Sequence, residues 1–254
     1  MSFLKTFLVF TSVLAATAVM TYPAQCQDAD QIVPTNRKTD LDPGPTRRGF
    51  RESSFEAANI DYLAVMAINM STDFRRSMER DDAAFKHVLA VVDTFNRHTV
   101  GSEARLVMTQ VSGVGNTLLW EGTPRQLRQQ FATAKDFRRF VLDKKAGKPE
   151  AIKGLVTTTK YLLNHEALDN PDCKPALFII SDAQDQREYA ETFKDCAELA
   201  KNFTKISSRK GVCGWYFVDD ANLDWAKEIV QRSGFSDYRV EADIVRRPSV
   251  PRFN

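Results

Sequence analysis

The chain has 254 residues, 43% apolar and 27% charged, enough for a well-buried core and outside the compositions of disordered or collagen-like chains. Thirty-five Lys and Arg against 33 Asp and Glu leave a net charge of +2, with no block of five like charges, so composition excludes a nucleic-acid footprint. Four cysteines, at 26, 173, 196 and 213, form neither a C-x-x-C pair nor a His-interleaved cluster, which sets a structural zinc site aside.

Residues 1–26 carry one early charge, Lys5, then an apolar stretch from Phe7 to Met20 and a polar turn after Cys26, the pattern of a secretory signal peptide. Ala24 with Cys26, or Ala16 with Ala18, provides small residues at cleavage spacing. The apolar stretch is shorter than the roughly twenty residues of a spanning helix. An uncleaved anchor is the alternative. The expectation is an exported, periplasmic or cell-surface protein with no membrane span in the mature chain. Residues 27–57 are polar, contain Pro34, Pro43, Gly44 and Pro45, and read as a flexible linker. Residues 58–245 read as the folded domain and 246–254, with Pro248 and Pro251, as a tail.

Within the domain, residues 61–69 (DYLAVMAIN) form an apolar run suited to a strand buried on both faces. Glu79 to His98 places Phe85, Val88, Leu89, Val92 and Phe95 on one helical stripe. Arg105–Val111 and Thr117–Trp120 flank Ser-Gly-Val-Gly-Asn as a hairpin. Helical patterns follow at 124–131, 134–145 and 150–164, the last with Pro149 placed for a first turn. PALFIISD (175–182) is a second apolar strand, 186–207 a long amphipathic helix, and VCGWYFVDD (212–220) a third apolar strand. A helix over 223–232, closed by Ser233-Gly234, and a strand over 237–241 complete the domain. Apolar strands alternating with helices predict a doubly wound α/β fold, its six-stranded sheet mainly parallel with one antiparallel edge strand and helices on both faces. Cys173 and Cys213, just before and at the start of two expected parallel strands, are placed to approach each other at one sheet end as a disulfide; three buried free thiols in the mature chain are the alternative.

Ligands of such sheets bind beyond the carboxyl ends of the strands. Those ends carry Asn69-Met70-Ser71-Thr72-Asp73, Ser181-Asp182-Ala183-Gln184-Asp185 and Asp219-Asp220-Ala221-Asn222, three sets of oxygen-bearing side chains. In element order and motif the stretch from Asp61 to Ile244 resembles a von Willebrand factor type A domain. Members of that family hold a divalent cation with an Asp-x-Ser-x-Ser motif after the first strand, a Thr before a middle helix and an Asp after the fourth strand. The resemblance places Asn69, Ser71, Asp73, Lys148 of Gly147-Lys148-Pro149, and Asp182 at those stations. Ser71 and Asp182 match. Asn69 replaces an acid, Asp73 returns one, and Lys148 puts an ammonium where a hydroxyl ligand belongs. Ser71, Asp73 and Asp182 are then the candidate ligands of a magnesium ion. The alternatives are a Lys148 ammonium in the cation's place, paired with Asp73 and Asp182, or a polar rim with no ion. The resemblance implies a protein-interaction or adhesion module whose protein partner meets a rim of Asn69, Ser71, Asp73, Lys148, Asp182 and Asp219, with a degenerate metal-ion-dependent adhesion site. A structural scaffold of a cell-envelope assembly with a vestigial rim is the alternative of another class.

Residues 68–74 also resemble the first motif of isochorismatase-like cysteine hydrolases. Asn69 stands where that family has its base, and the loop SDAQDQREY lacks the nucleophilic cysteine, so no catalysis is expected. His87, His98 and His165 read as surface or capping residues, and Asp81 and Asp82 as acids opening a helix. Trp215 and Phe217 read as core, and Gly113-Val114-Gly115 as a turn rather than a phosphate cradle.

Overall fold

The computed structural model describes residues 59–80, 83–242 and 249–252. The expected signal and linker segments, Asp81, Asp82 and most of the expected tail lie outside the described residues. In chain order the elements are β1 (Tyr62–Asn69), α1 (Thr72–Arg80), α2 (Ala83–His98), β2 (Ala104–Val111), β3 (Leu118–Gly122), α3 (Pro124–Gln130), α4 (Ala134–Leu142), α5 (Ala151–Leu163), β4 (Lys174–Ile180), α6 (Tyr189–Ser207), β5 (Val212–Tyr216), α7 (Asp220–Arg232) and β6 (Asp237–Glu241). The strands form one sheet in the order β3-β2-β1-β4-β5-β6, parallel except for β3. This is the doubly wound α/β architecture that the sequence predicts.

Strand β1 shows why the apolar runs are central. Leu63, Val65 and Ala67 face one core layer with α5, α6 and α7, while Ala64, Met66 and Ile68 face the other with α1 to α4. All six are at most 1% exposed. Because side chains alternate across a strand, a run of six apolar residues fills two cores. Each large side chain contributes roughly 1.5–3 kcal/mol by leaving water.

Several boundaries differ from expectation, each for a local reason. The helix expected over 79–98 begins at Ala83 as α2, and a separate helix, α1, starts inside the Asn69–Asp73 motif at Thr72. Its polar sequence TDFRRSMER offers only Phe74 and Met78, at i and i+4, to the core, too weak a stripe to stand out. Strand β4 ends at Ile180 and β5 at Tyr216, before the acids. Ala183 and Phe217 then turn the chain with φ of 63° and 67°. Pro149 precedes α5 rather than opening it, since Glu150 is the N-cap. Phe217 is accordingly a half-buried turn residue, not a strand core residue; Trp215 is fully buried, as expected.

The cysteines correct the disulfide expectation. Cys213 stands opposite Leu177 in the β4–β5 register, four residues beyond Cys173, and at about 3.3 Å per residue that offset is too long for a disulfide. Cys173, Cys196 and Cys213 are free thiols. Burial pushes the Cys173 thiol up to about 11 and raises that of Cys213 further.

Candidate functional site

The parallel register brings Asn69 at the end of β1 beside the end of β4, where Ile68 is paired with Ile180. Asn69 is fully buried and its three polar contacts are all local to the rim. Its Nδ2 donates to Asp182 Oδ1 at 2.8 Å and to Ser181 Oγ at 3.2 Å, and its Oδ1 accepts the Ser71 N–H at 2.9 Å. Asp182 Oδ1 also accepts the Gln184 N–H at 3.2 Å. Burial raises the Asp182 pKa, and the hydrogen bonds from Gln184 and Asn69 oppose that shift.

The 146–149 loop lies against the end of the Asn69–Ser71 stretch. Gly147 bridges to Ser71, its N–H donates to the Met70 carbonyl at 2.9 Å, and its carbonyl accepts the Thr72 N–H at 3.0 Å. A Cβ on Gly147 would lie 1.9 Å from the Ser112 carbonyl oxygen, so only glycine allows this approach. Lys148 next to it is exposed, and among the described residues it forms no ion pair with Asp73 or Asp182. Asp73 instead pairs with Arg76 at 3.4 Å on the exposed first turn of α1. The alternative of a Lys148 ammonium standing in for a cation is not formed among the described residues.

The candidate magnesium ligands are engaged in other bonds. Ser71 Oγ accepts the Phe74 N–H at 3.3 Å, in the manner of a helix N-cap. The Asp182 oxygen facing Asn69 meets an amide donor, which a cation would have to displace. Among the described residues, no group of three or more His, Cys, Asp or Glu side chains is gathered closely enough to hold a metal. An amide in place of an acid at position 69, and the N–H donors already held by Ser71 and Asp182, make this rim a poor fit for a divalent cation.

Three of the rim residues, Asp73, Asp182 and Asp219, do share an open cleft of about 400 Å³, lined also by Asp220, Phe74 and Phe217, whereas Asn69, Ser71 and Lys148 do not line it. Asp219 accepts the Ala221 N–H at 3.0 Å as the cap of α7 and the Gln184 Nε2–H at 2.9 Å, and these bonds lower its pKa. Phe217, Phe74 and Gln184 were not singled out in the sequence as site residues. Phe217 gives no local signal, because its role follows from a left-handed turn that the tertiary structure imposes. Three of the four non-glycine residues with positive φ, Ser112, Ala183 and Phe217, directly follow β2 or lie within a few residues of the ends of β4 and β5. Strained backbone of this kind costs roughly 1–3 kcal/mol per residue and clusters at functional rims.

Behind the cleft, His87 corrects the surface assignment. It is 2% exposed, among the described residues both ring nitrogens lack a hydrogen-bond partner, and its ring lies 4.1 Å from Tyr216 and 5.8 Å from Phe217. Burial lowers its pKa to about 4, so the ring is neutral. His165 is the capping residue expected, its Nδ1 accepting the Ala167 N–H at 3.1 Å.

No family model and no curated protein matches the chain. Among solved structures it is similar to the SpRpn10 VWA domain at 10% identity, covering 72% of this chain and 88% of that one with a TM-score of 0.45. It is also similar to the PilB minor pilin from Streptococcus sanguinis at 8% identity, covering 72% and 57% with a TM-score of 0.47. Proximal thread matrix protein 1 from the mussel byssus matches at 12% identity, over 73% of this chain and 45% of that one, with a TM-score of 0.42. The chain thus spans about half the length of the pilin and the byssus protein.

Proposed function

We propose that the chain is an exported, type A-like protein-interaction module that binds a protein partner at the carboxyl rim of its sheet without a divalent cation and without catalysis. The observation that carries this reading is the Asn69–Asp182 hydrogen bond, which puts an amide donor in the place where the resembling family has a charged metal ligand. The leader-like segment 1–26 supports export. Four aspartates line the cleft, and two of them, Asp73 and Asp220, are exposed. The complementary group is a lysine or arginine side chain on the partner, held by charge-assisted hydrogen bonds over the Phe74 and Phe217 rings.

The test is capture from an envelope extract by the immobilised chain. Asp73→Lys and Asp220→Lys, both at exposed positions, should each abolish the captured bands, whereas a chelator should leave them unchanged. Identical bands with wild type and both variants would reject the rim as the site. That result would favour the envelope-scaffold reading, which the structural duties of Asp219 as helix cap and Gln184 anchor also suit.

A further inference from the structure

Helix α6 buries Leu199, Asn202, Phe203 and Ile206 against the sheet. An amphipathic helix is expected to show water a polar opposite face. The outward face of its first three turns instead presents Tyr189, Ala190, Phe193 and Ala197, all exposed. Tyr189 is 82% and Phe193 63% exposed, with their rings stacked at 6.0 Å. The start of the helix is held in place by Arg187, which pairs with Asp185 at 2.8 Å and Asp195 at 2.6 Å.

The charges along one flank of this face follow a pattern. At 100° per residue, Glu191, Lys194, Glu198 and Lys201 fall on the same side of the apolar stripe. Glu191 and Lys201 stand five residues either side of Cys196, and Lys194 and Glu198 two residues either side. Each acid thus has a base at the position that a twofold axis through residue 196 would bring opposite to it.

We infer that the outward face of α6 docks on the same face of a second copy of this chain, antiparallel about a twofold axis near Cys196. Antiparallel helices bring like flanks together, so Glu191 meets Lys201 of the second copy and Lys194 meets its Glu198. The symmetry repeats both pairs. Phe193 then lies against the small side chains Ala197 and Ala200 of the second copy, a ring on a shelf rather than a ring on a ring. Glu198 already holds Lys160 within one chain at 2.7 Å, so the Glu191–Lys201 pair is the cleaner reporter. Three helical turns from each copy make an interface below the roughly 1,200 Å² of stable complexes, so association is weak, with a Kd in the micromolar range or above.

The experiment is sedimentation equilibrium of the full chain up to about 200 μM, with far-UV circular dichroism and a thermal melt showing that each variant is folded. Wild type should form a concentration-dependent dimer, and Phe193→Glu should leave only monomer. Glu191→Lys and Lys201→Glu should each weaken the dimer by about tenfold, and the double swap should return its Kd to within about twofold of wild type. Restoration by the double swap requires a second copy, since no other occupant carries the compensating change. A wild-type monomer throughout the range, including one whose aromatic face binds phosphatidylglycerol vesicles, would overturn the inference. So would a double swap as weak as the single ones.

Discussion

Asn69 Nδ2 donates to Asp182 Oδ1 across the β1–β4 boundary at 2.8 Å, joining two residues 113 positions apart in the chain. An amide satisfies this half-buried carboxylate without adding charge, whereas an acid at 69 would repel it. Asn69→Asp should therefore cost about 2–4 kcal/mol in the presence of chelator. Millimolar magnesium should recover part of the loss, because the carboxylate introduced at position 69 then stands together with Ser71 and Asp182. Thermal melts with magnesium and with chelator check both arms. The wild-type melt should not move between them.

His87 predicts an acid-sensitive core. Its pKa is about 4 in the native chain against 6.5 as a free side chain, so the unfolded state binds the extra proton between those values. Stability is unaffected by this group above pH 6.5, declines as pH falls through the window, and levels off near pH 4. At pH 4.5 the loss amounts to about 2.5 kcal/mol. Urea unfolding of wild type and His87→Phe at pH 7.5 and 4.5 isolates it, since the variant should lose that much less stability on acidification.

Gly147→Ala places a methyl 1.9 Å from the Ser112 carbonyl oxygen, and both are backbone-anchored. The 146–149 loop must then leave Ser71 or push β2 aside. We expect a loss of about 2–4 kcal/mol in denaturant unfolding, against less than about 0.5 kcal/mol for Lys148→Ala beside it.

Arg187 joins Asp185, whose side chain is 3% exposed, to Asp195, and Asp185 also caps α5 through the Ile152 N–H at 3.0 Å. Arg187→Met removes the cation and leaves a buried, uncompensated acid. The expected loss is about 3–5 kcal/mol, and Asp185→Asn in the same chain should recover a substantial part of it, because the residual penalty is electrostatic. A double variant no more stable than Arg187→Met would reject that account.

Much of the architecture was legible because apolar runs at 62–69, 174–180 and 212–216 have no alternative burial than the middle of a sheet. Parallel strand order also carries the 69–73 motif and Asp182 to one edge, where the Gly147 loop meets them. Helix α1 was not legible, since two apolar residues in nine give no period. The Cys173–Cys213 pairing failed because order along the chain says nothing of register, which slides Cys213 to Leu177. His87 was misread because its stripe position between Phe85 and Val88 was outweighed by its polarity.

Residue order alone determined the apolar strands, most of the helices that cover them and the acids delivered to the carboxyl edge, because hydrophobic period and chain direction are local properties. Tertiary structure decided which atoms face one another there. The orientation of the Asn69 amide toward Asp182, the pairing of Asp73 with Arg76 and the exposure of Lys148 depend on distances between segments far apart in the chain. Ligand geometry at a rim is set by those distances to within tenths of an ångström, a precision that spacing along a sequence does not encode.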